Sequence, residues 1–272
     1  MTLTWEGAER AGSGWEELSP YAGRYRLPVW DCTVGLVVGE DAALMIDAGS
    51  SVREGAWLRA RARSLLGGRR ITHLALTHPH FDHVFGAAAF AGAEVFGAVG
   101  VERVLGDEGE ELRADAVRNG ADPDEAAEAA DLLVRPRHLV CGEWTLDLGG
   151  GRQVLLANVG PGHTGHDLAV LVAGDGDGDG DGSRPGSGSG SGSASGSGSG
   201  SPEIVFCGDL VEESGEPQAG PDAVPSHWPA ALDRLLALGG EDALYVPGHG
   251  AVVDAAFVRA QRDALAGRFG VR

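Results

Sequence analysis

Between Thr77 and Val84 the chain reads His78-Pro79-His80-Phe81-Asp82-His83, four potential metal ligands within six residues. Without an ion, three imidazoles and a carboxylate in one turn would compete for few hydrogen-bond partners. The His-x-His spacing lets two imidazoles reach one ion from successive outward positions. The adjacent Asp82-His83 pair can then turn toward a second ion. Neutral imidazole and carboxylate suit a zinc-type site, and an incomplete protein shell leaves room for water. Three further candidates stand downstream, each beside a predicted strand: His163 in Gly-Pro-Gly-His-Thr, Asp209 in Phe-Cys-Gly-Asp and His249 in Pro-Gly-His-Gly.

The elements that must position these residues alternate between strand and helix patterns. Thr33–Val38, the turn Gly39-Glu40-Asp41 and the apolar run from Ala43 predict a hairpin that ends on the carboxylate of Asp47. Apolar positions at helical spacing over 52–66 predict a helix stopped by Gly67-Gly68. A buried strand over 71–76 runs into the His/Asp cluster. The acidic, alanine-rich stretch 101–133 predicts helices separated near Asn119-Gly120. Strands are expected over 138–141, 144–147, 152–159, 168–173 and 204–207. The last two pair, and the Gly/Ser/Asp-rich segment 174–201 forms the tip between them. A helix over 226–238 capped by Ser226, a buried strand over 243–246 and a helix over 254–266 complete the pattern. The first 26 residues read as a lead-in with little periodicity. The class is α/β, with the chemistry at strand ends.

In order, a strand-terminal Asp, HxHxDH, a His, an Asp and a final His match Asp47, His78 to His83, His163, Asp209 and His249. This pattern resembles the metallo-β-lactamase superfamily over nearly the whole chain. The resemblance implies an αββα four-layer sandwich with metals at one edge of its two sheets. It implies a first site of His78, His80 and His163, a second of Asp82, His83 and His249, and Asp209 bridging both. Asp47 would support the HxHxDH loop from behind the ligands. Two zinc ions, with iron or manganese as alternatives, would hold a bridging hydroxide that attacks a small ester, thioester, lactone or amide. Asp82 would be both ligand and the group that orients the nucleophile or takes its proton.

Departures narrow the branch. One lactamase class carries a cysteine at the fourth motif and a lysine three residues later. This chain has Asp209 and Glu212 there, which would repel a β-lactam carboxylate. The glyoxalase II branch shares the aspartate bridge but relies on basic residues, of which the lysine-free C-terminal half offers few. The diiron oxygen-reductase branch has glutamate where this chain has His80. Two other readings stand beside hydrolysis: a mononuclear iron dioxygenase on the same fold, using His78, His80 and Asp209, and a binding module without catalysis.

Composition bounds the rest. The 272 residues, less the 174–201 insertion, suit one large domain spanning 1–272. The insertion cannot bury apolar surface and is expected to be disordered. Within it Asp175, Asp177, Asp179 and Gly180 copy the start of an EF-hand loop. The twelfth position is Gly186 rather than glutamate, so calcium is not expected. A net charge of −19 and the absence of lysine disfavour a nucleic-acid partner and leave a small molecule. No apolar run spans a membrane and no signal peptide is evident, so a cytoplasmic enzyme is expected. Cys32, Cys141 and Cys207 are expected to be buried free thiols. His73 and His138 read as structural. His166 reads as a surface residue and His227 as packing at a helix start. The oligomeric state is not encoded in any recognisable signal.

Overall fold

The computed structural model describes Trp5, residues 14–174 and residues 201–271. The bulk of the insertion, 175–200, and with it the EF-hand-like aspartates, lies outside the described residues. The elements in chain order are β1 Glu16–Ser19, β2 Ala22–Arg26, β3 Thr33–Val38, β4 Ala43–Ile46, α1 Val52–Leu65, β5 His73–Leu76, α2 Phe81–Val84, β6 Glu94–Ala98 and α3 Val101–Asp107. They continue with α4 Gly109–Arg118, α5 Pro123–Asp131, β7 His138–Val140, β8 Glu143–Asp147, β9 Gln153–Asn158, β10 Leu168–Val172, β11 Ile204–Glu212, α6 Trp228–Gly239, β12 Leu244–His249 and α7 Ala255–Phe269. A short 3-10 turn, Ala87–Phe90, follows α2.

Two sheets form. One runs β1-β2-β3-β4-β5-β6-β7, and the other β12-β11-β10-β9-β8. Period-two alternation in the second sheet explains the layers. In β11, Ile204 and Phe206 join the cluster shared with the first sheet, whereas Val205 and Cys207 join the cluster beneath α6 and α7. On the far side, Leu58 and Ala62 of α1 belong to the core of the first sheet. The result is the expected αββα arrangement. Gly35 is required where the sheets meet, because a Cβ there would come within 2.6 Å of the Phe206 ring.

Local signals account for several boundaries. Ser51 caps α1 by accepting from the Glu54 amide, and Asp254 caps α7 by accepting from Phe257. Asp122 caps α5, with Pro123 at its first position.

Four expectations are corrected. The lead-in contains β1 and β2, which extend the first sheet. The pattern was hidden because Arg24, only 3% exposed, occupies an inward position, held by Glu16 and the Gly250 carbonyl. The 101–133 stretch breaks at Glu108 as well as after Arg118, giving three helices. Ser226 does not cap α6; His227 holds that position without a side-chain bond, and burial of Trp228, Leu232 and Leu235 anchors the helix instead. Cys141 is exposed, while Cys32 and Cys207 are buried.

Candidate metal centre

Buried strands deliver the chemistry to one edge. β5 pairs in parallel with β4, so Asp47, just past β4, lies beside Thr77, just past β5. Asp47 adopts a left-handed backbone (φ 60°) and is 1% exposed. Its carboxylate accepts from the Thr77 amide at 2.8 Å and the Thr77 hydroxyl at 2.7 Å, and lies 2.8 Å from His83 Nδ1. His80 has extended backbone and caps α2, whose single turn carries Asp82 and His83 around to face inward. His163 lies in the loop between β9 and β10. Asp209 lies inside β11, just beyond an irregularity at Gly208, rather than after the strand. His249 ends β12, and a bridge to Cys32, immediately before β3 of the first sheet, joins the two sheets there.

These elements bring all seven predicted side chains together. One group comprises His78, His80, His163 and Asp209, with one donor atom of each lying within 4.8 Å of the others. A second comprises His83, Asp209 and His249. Asp82 joins the second group, its Oδ2 lying 3.4 Å from His249 Nε2 and 3.7 Å from His83 Nε2. Asp209 stands between them: Oδ2 is 3.6 Å from His78 Nε2 and 3.5 Å from His163 Nε2, and Oδ1 is 3.1 Å from His83 Nε2. Glycine is needed at 248, where a Cβ would overlap the Asp209 carboxylate.

The outer ring nitrogens have partners that fix each imidazole. His163 Nδ1 lies 3.1 Å from the Gln218 carbonyl and His249 Nδ1 lies 2.7 Å from the Trp30 carbonyl. His80 Nε2 lies 3.0 Å from Asp222 Oδ2, leaving Nδ1 to face His163 Nε2 at 3.0 Å. Trp228 packs edge-on against the His163 ring, with centroids 5.4 Å apart.

Electrostatics favour a cation here. Burial pushes His78 well below the usual imidazole range and His163 down to about 4, so both present lone pairs. Burial opposes charge on His249 too, but Asp209 outweighs it and lifts that imidazole to about 9. Burial resists ionisation of Asp209, yet His83, His249 and His78 hold it well below the carboxylate range. His78 Nε2 and Asp209 Oδ1 are buried without a hydrogen-bond partner. Unpartnered buried donors and acceptors are costly, and these two point into the shared centre. The donor set therefore fits divalent metal, as the imidazole and carboxylate chemistry requires.

Sequence reading missed Asp222, Gln218, Trp30 and Cys32. Cys32 Sγ lies 3.3 Å from the Asp82 carbonyl and 3.7 Å from His83 Nδ1. None of these four has a local motif, and each reaches the centre only through the fold. Among the other histidines, His138 stacks on Phe96 and His73 bonds Thr72, away from the donor groups. The His166 ring packs against Gly100. Tyr245 bonds the Gly240 carbonyl.

A family model described as metallo-beta-lactamase superfamily matches residues 27–249. Among solved structures, the chain is similar to a metallo-beta-lactamase from Pontibacter korlensis, at 18% identity and a TM-score of 0.59. That alignment covers 92% of this chain and 97% of the other. No curated protein matches the chain.

Proposed function

Since the chain belongs to the metallo-beta-lactamase superfamily, we propose that it is a metal-dependent hydrolase of a small ester, thioester, lactone or amide. The observation that carries this reading is the pair of donor groups sharing Asp209. His78, His80 and His163 would hold one ion, Asp82, His83 and His249 the other, and Asp209 both, with zinc the expected metal. Bound there, the ions supply an acidified water and a Lewis acid for the substrate oxygen.

The protein's own groups supply position and proton handling. Asp47 ties the Thr77 backbone and His83 together and so holds the cluster in register. Asp82, buried to 8% exposure beside His249 and His83, aligns the attacking water and takes its proton at a carboxylate oxygen. Asp222 keeps His80 turned with Nδ1 inward.

Glu212 argues against β-lactams. It stands where one lactamase class has its lysine, and its carboxylate accepts from the Ser214 hydroxyl. It offers no anchor for a substrate carboxylate. A small molecule rather than nucleic acid is the proposed partner, and the cytoplasm the proposed location. No helix among the described residues is long and apolar enough to cross a membrane.

Metal analysis of purified protein, paired with an ester, thioester and lactone panel, tests the reading. About two zinc per chain and loss of turnover in His80→Ala are expected. One iron per chain with no hydrolysis would instead favour the oxidative reading.

A further inference from the structure

Arg26 follows Arg24 by two positions, so both point to one face of β2, and both lead to His249. Arg24 reaches the second sheet directly, its Nη1 donating to the Gly250 carbonyl at 2.9 Å, one residue past His249. Arg26 reaches it through Asp31. Its Nε donates to Asp31 Oδ1 at 2.8 Å and its Nη2 to Asp31 Oδ2 at 2.5 Å. Such a two-pronged pair fixes angle as well as distance.

Asp31 holds a left-handed backbone, φ 60°, which a residue with a Cβ seldom adopts. That conformation turns the chain between Trp30 and Cys32, and both neighbours touch the donor groups. The Trp30 carbonyl lies 2.7 Å from His249 Nδ1. Cys32 bridges to the His249 backbone, and its Sγ lies 3.3 Å from the Asp82 carbonyl. The Leu27 amide donates to the Cys32 carbonyl at 2.8 Å and closes the loop.

The other nitrogen of His249 faces the centre, with Nε2 3.2 Å from Asp209 Oδ2 and 3.4 Å from Asp82 Oδ2. A partner behind one ring nitrogen decides where the other points. For His249 that partner is a main-chain carbonyl in a loop without regular pairing. What holds the loop therefore holds the ring.

We infer that the Arg26–Asp31 pair is a positioning device for His249: it keeps the Trp30 carbonyl behind the ring and so governs how well the second donor group takes its metal. The metal half of this inference rests on the binuclear reading, and the orientation half does not, so the two are tested apart. The His249 Nδ1–H signal is followed by proton–nitrogen NMR in metal-free protein, with His249→Gln identifying it. Wild type is compared with Arg26→Gln, Asp31→Asn and the double variant. Asparagine accepts the same left-handed backbone, so Asp31→Asn removes the charge without disturbing the turn. Zinc affinity is then measured by competition with a chromophoric chelator.

Solvent exchange of that proton is expected to quicken by about tenfold or more in each single variant. The double variant should go no further, because either change breaks the same pair. One zinc equivalent is expected to weaken by about tenfold while the other holds. Arg26→Lys, which keeps the charge but lacks the fork, should fall between. The pair is one-third exposed on each side, 35% and 34%, so these variants leave the core intact. Unchanged exchange in both single variants overturns the inference even if stability drops, since a merely structural pair would leave the ring where it is. Effects that add in the double variant overturn it as well. Faster exchange in a protein that takes up one metal, or hydrolyses nothing, supports the positioning role and sinks the binuclear hydrolytic reading instead.

Discussion

The Asp222 carboxylate lies 3.0 Å from Nε2 of His80, across 142 positions of chain. That contact decides which nitrogen of His80 faces the centre, because only Nδ1 is then left to point at His163. A carboxylate behind a ligating histidine both orients the ring and raises its basicity.

Asp222→Ala is therefore expected to weaken metal binding by about 10- to 100-fold, with Asp222→Asn intermediate. Competition against a chromophoric chelator measures this. Unchanged affinity in both variants would mean that His80 holds its orientation without help.

Asp47→Ala removes the acceptor for two Thr77 donors and the partner of His83 at a buried site. A stability loss of about 2–4 kcal/mol is expected, since buried groups left unsatisfied cost about 1–3 kcal/mol each. Urea unfolding of the metal-free protein reads it directly. A loss below 1 kcal/mol would show that water replaces the carboxylate at little cost.

Gly248→Ala acts on geometry alone. The added Cβ would overlap the Asp209 carboxylate, which must then turn away from both donor groups. Reduced metal stoichiometry with a near-native circular dichroism spectrum is expected. Full metal loading would show that Asp209 has room to move without losing its position.

Without metal, stability should fall as pH rises above neutrality. His249 is lifted to about 9, above its unfolded value of 6.5, so its contribution is complete below 6.5 and disappears as pH rises through 9. On the acid side His163, lowered to about 4, is opposed by Glu212 and Asp167, both raised to about 7, so no acid limb follows. Thermal melts in chelator should show the melting temperature falling between pH 6.5 and 9. Metal should flatten the alkaline limb, because it binds the neutral imidazole and takes the place of the lost proton. A melting temperature independent of pH in chelator would remove the argument.

β10 and β11 pair antiparallel up to Val172 opposite Ile204, which holds the two ends of the insertion side by side. Deleting residues 176–200 shortens a connection whose closure cost grows only with the logarithm of its length. Activity and melting temperature are expected to stay at wild-type values. A large drop in either would give the segment a role beyond connection.

The sequence by itself determined the inventory of candidate donor residues and its order. His78, His80, Asp82 and His83 were legible because they lie within one turn, where residue type and spacing alone restrict the chemistry. His163, Asp209 and His249 were legible as an ordered pattern beside predicted strands. The continuous apolar runs of β3, β4, β10 and β11 announced two-sided burial, and Ser51 and Asp254 are local caps whose geometry is set within three residues.

Tertiary structure alone decided how closely the two groups meet, because Asp209 of the second sheet reaches His78 and His83 of the first only when the sheets pack face to face. It also decided the orienting contacts of Asp222, Gln218 and Trp30, which lie in loops without periodicity and reach the histidines through space. β1 and β2 escaped sequence reading because the inward Arg24 breaks the apolar pattern, and its charge is met by Glu16 and by the Gly250 carbonyl on the other sheet. Hydrogen-bond partners distant in sequence leave no local trace, so the centre's composition could be read from the chain and its wiring could not.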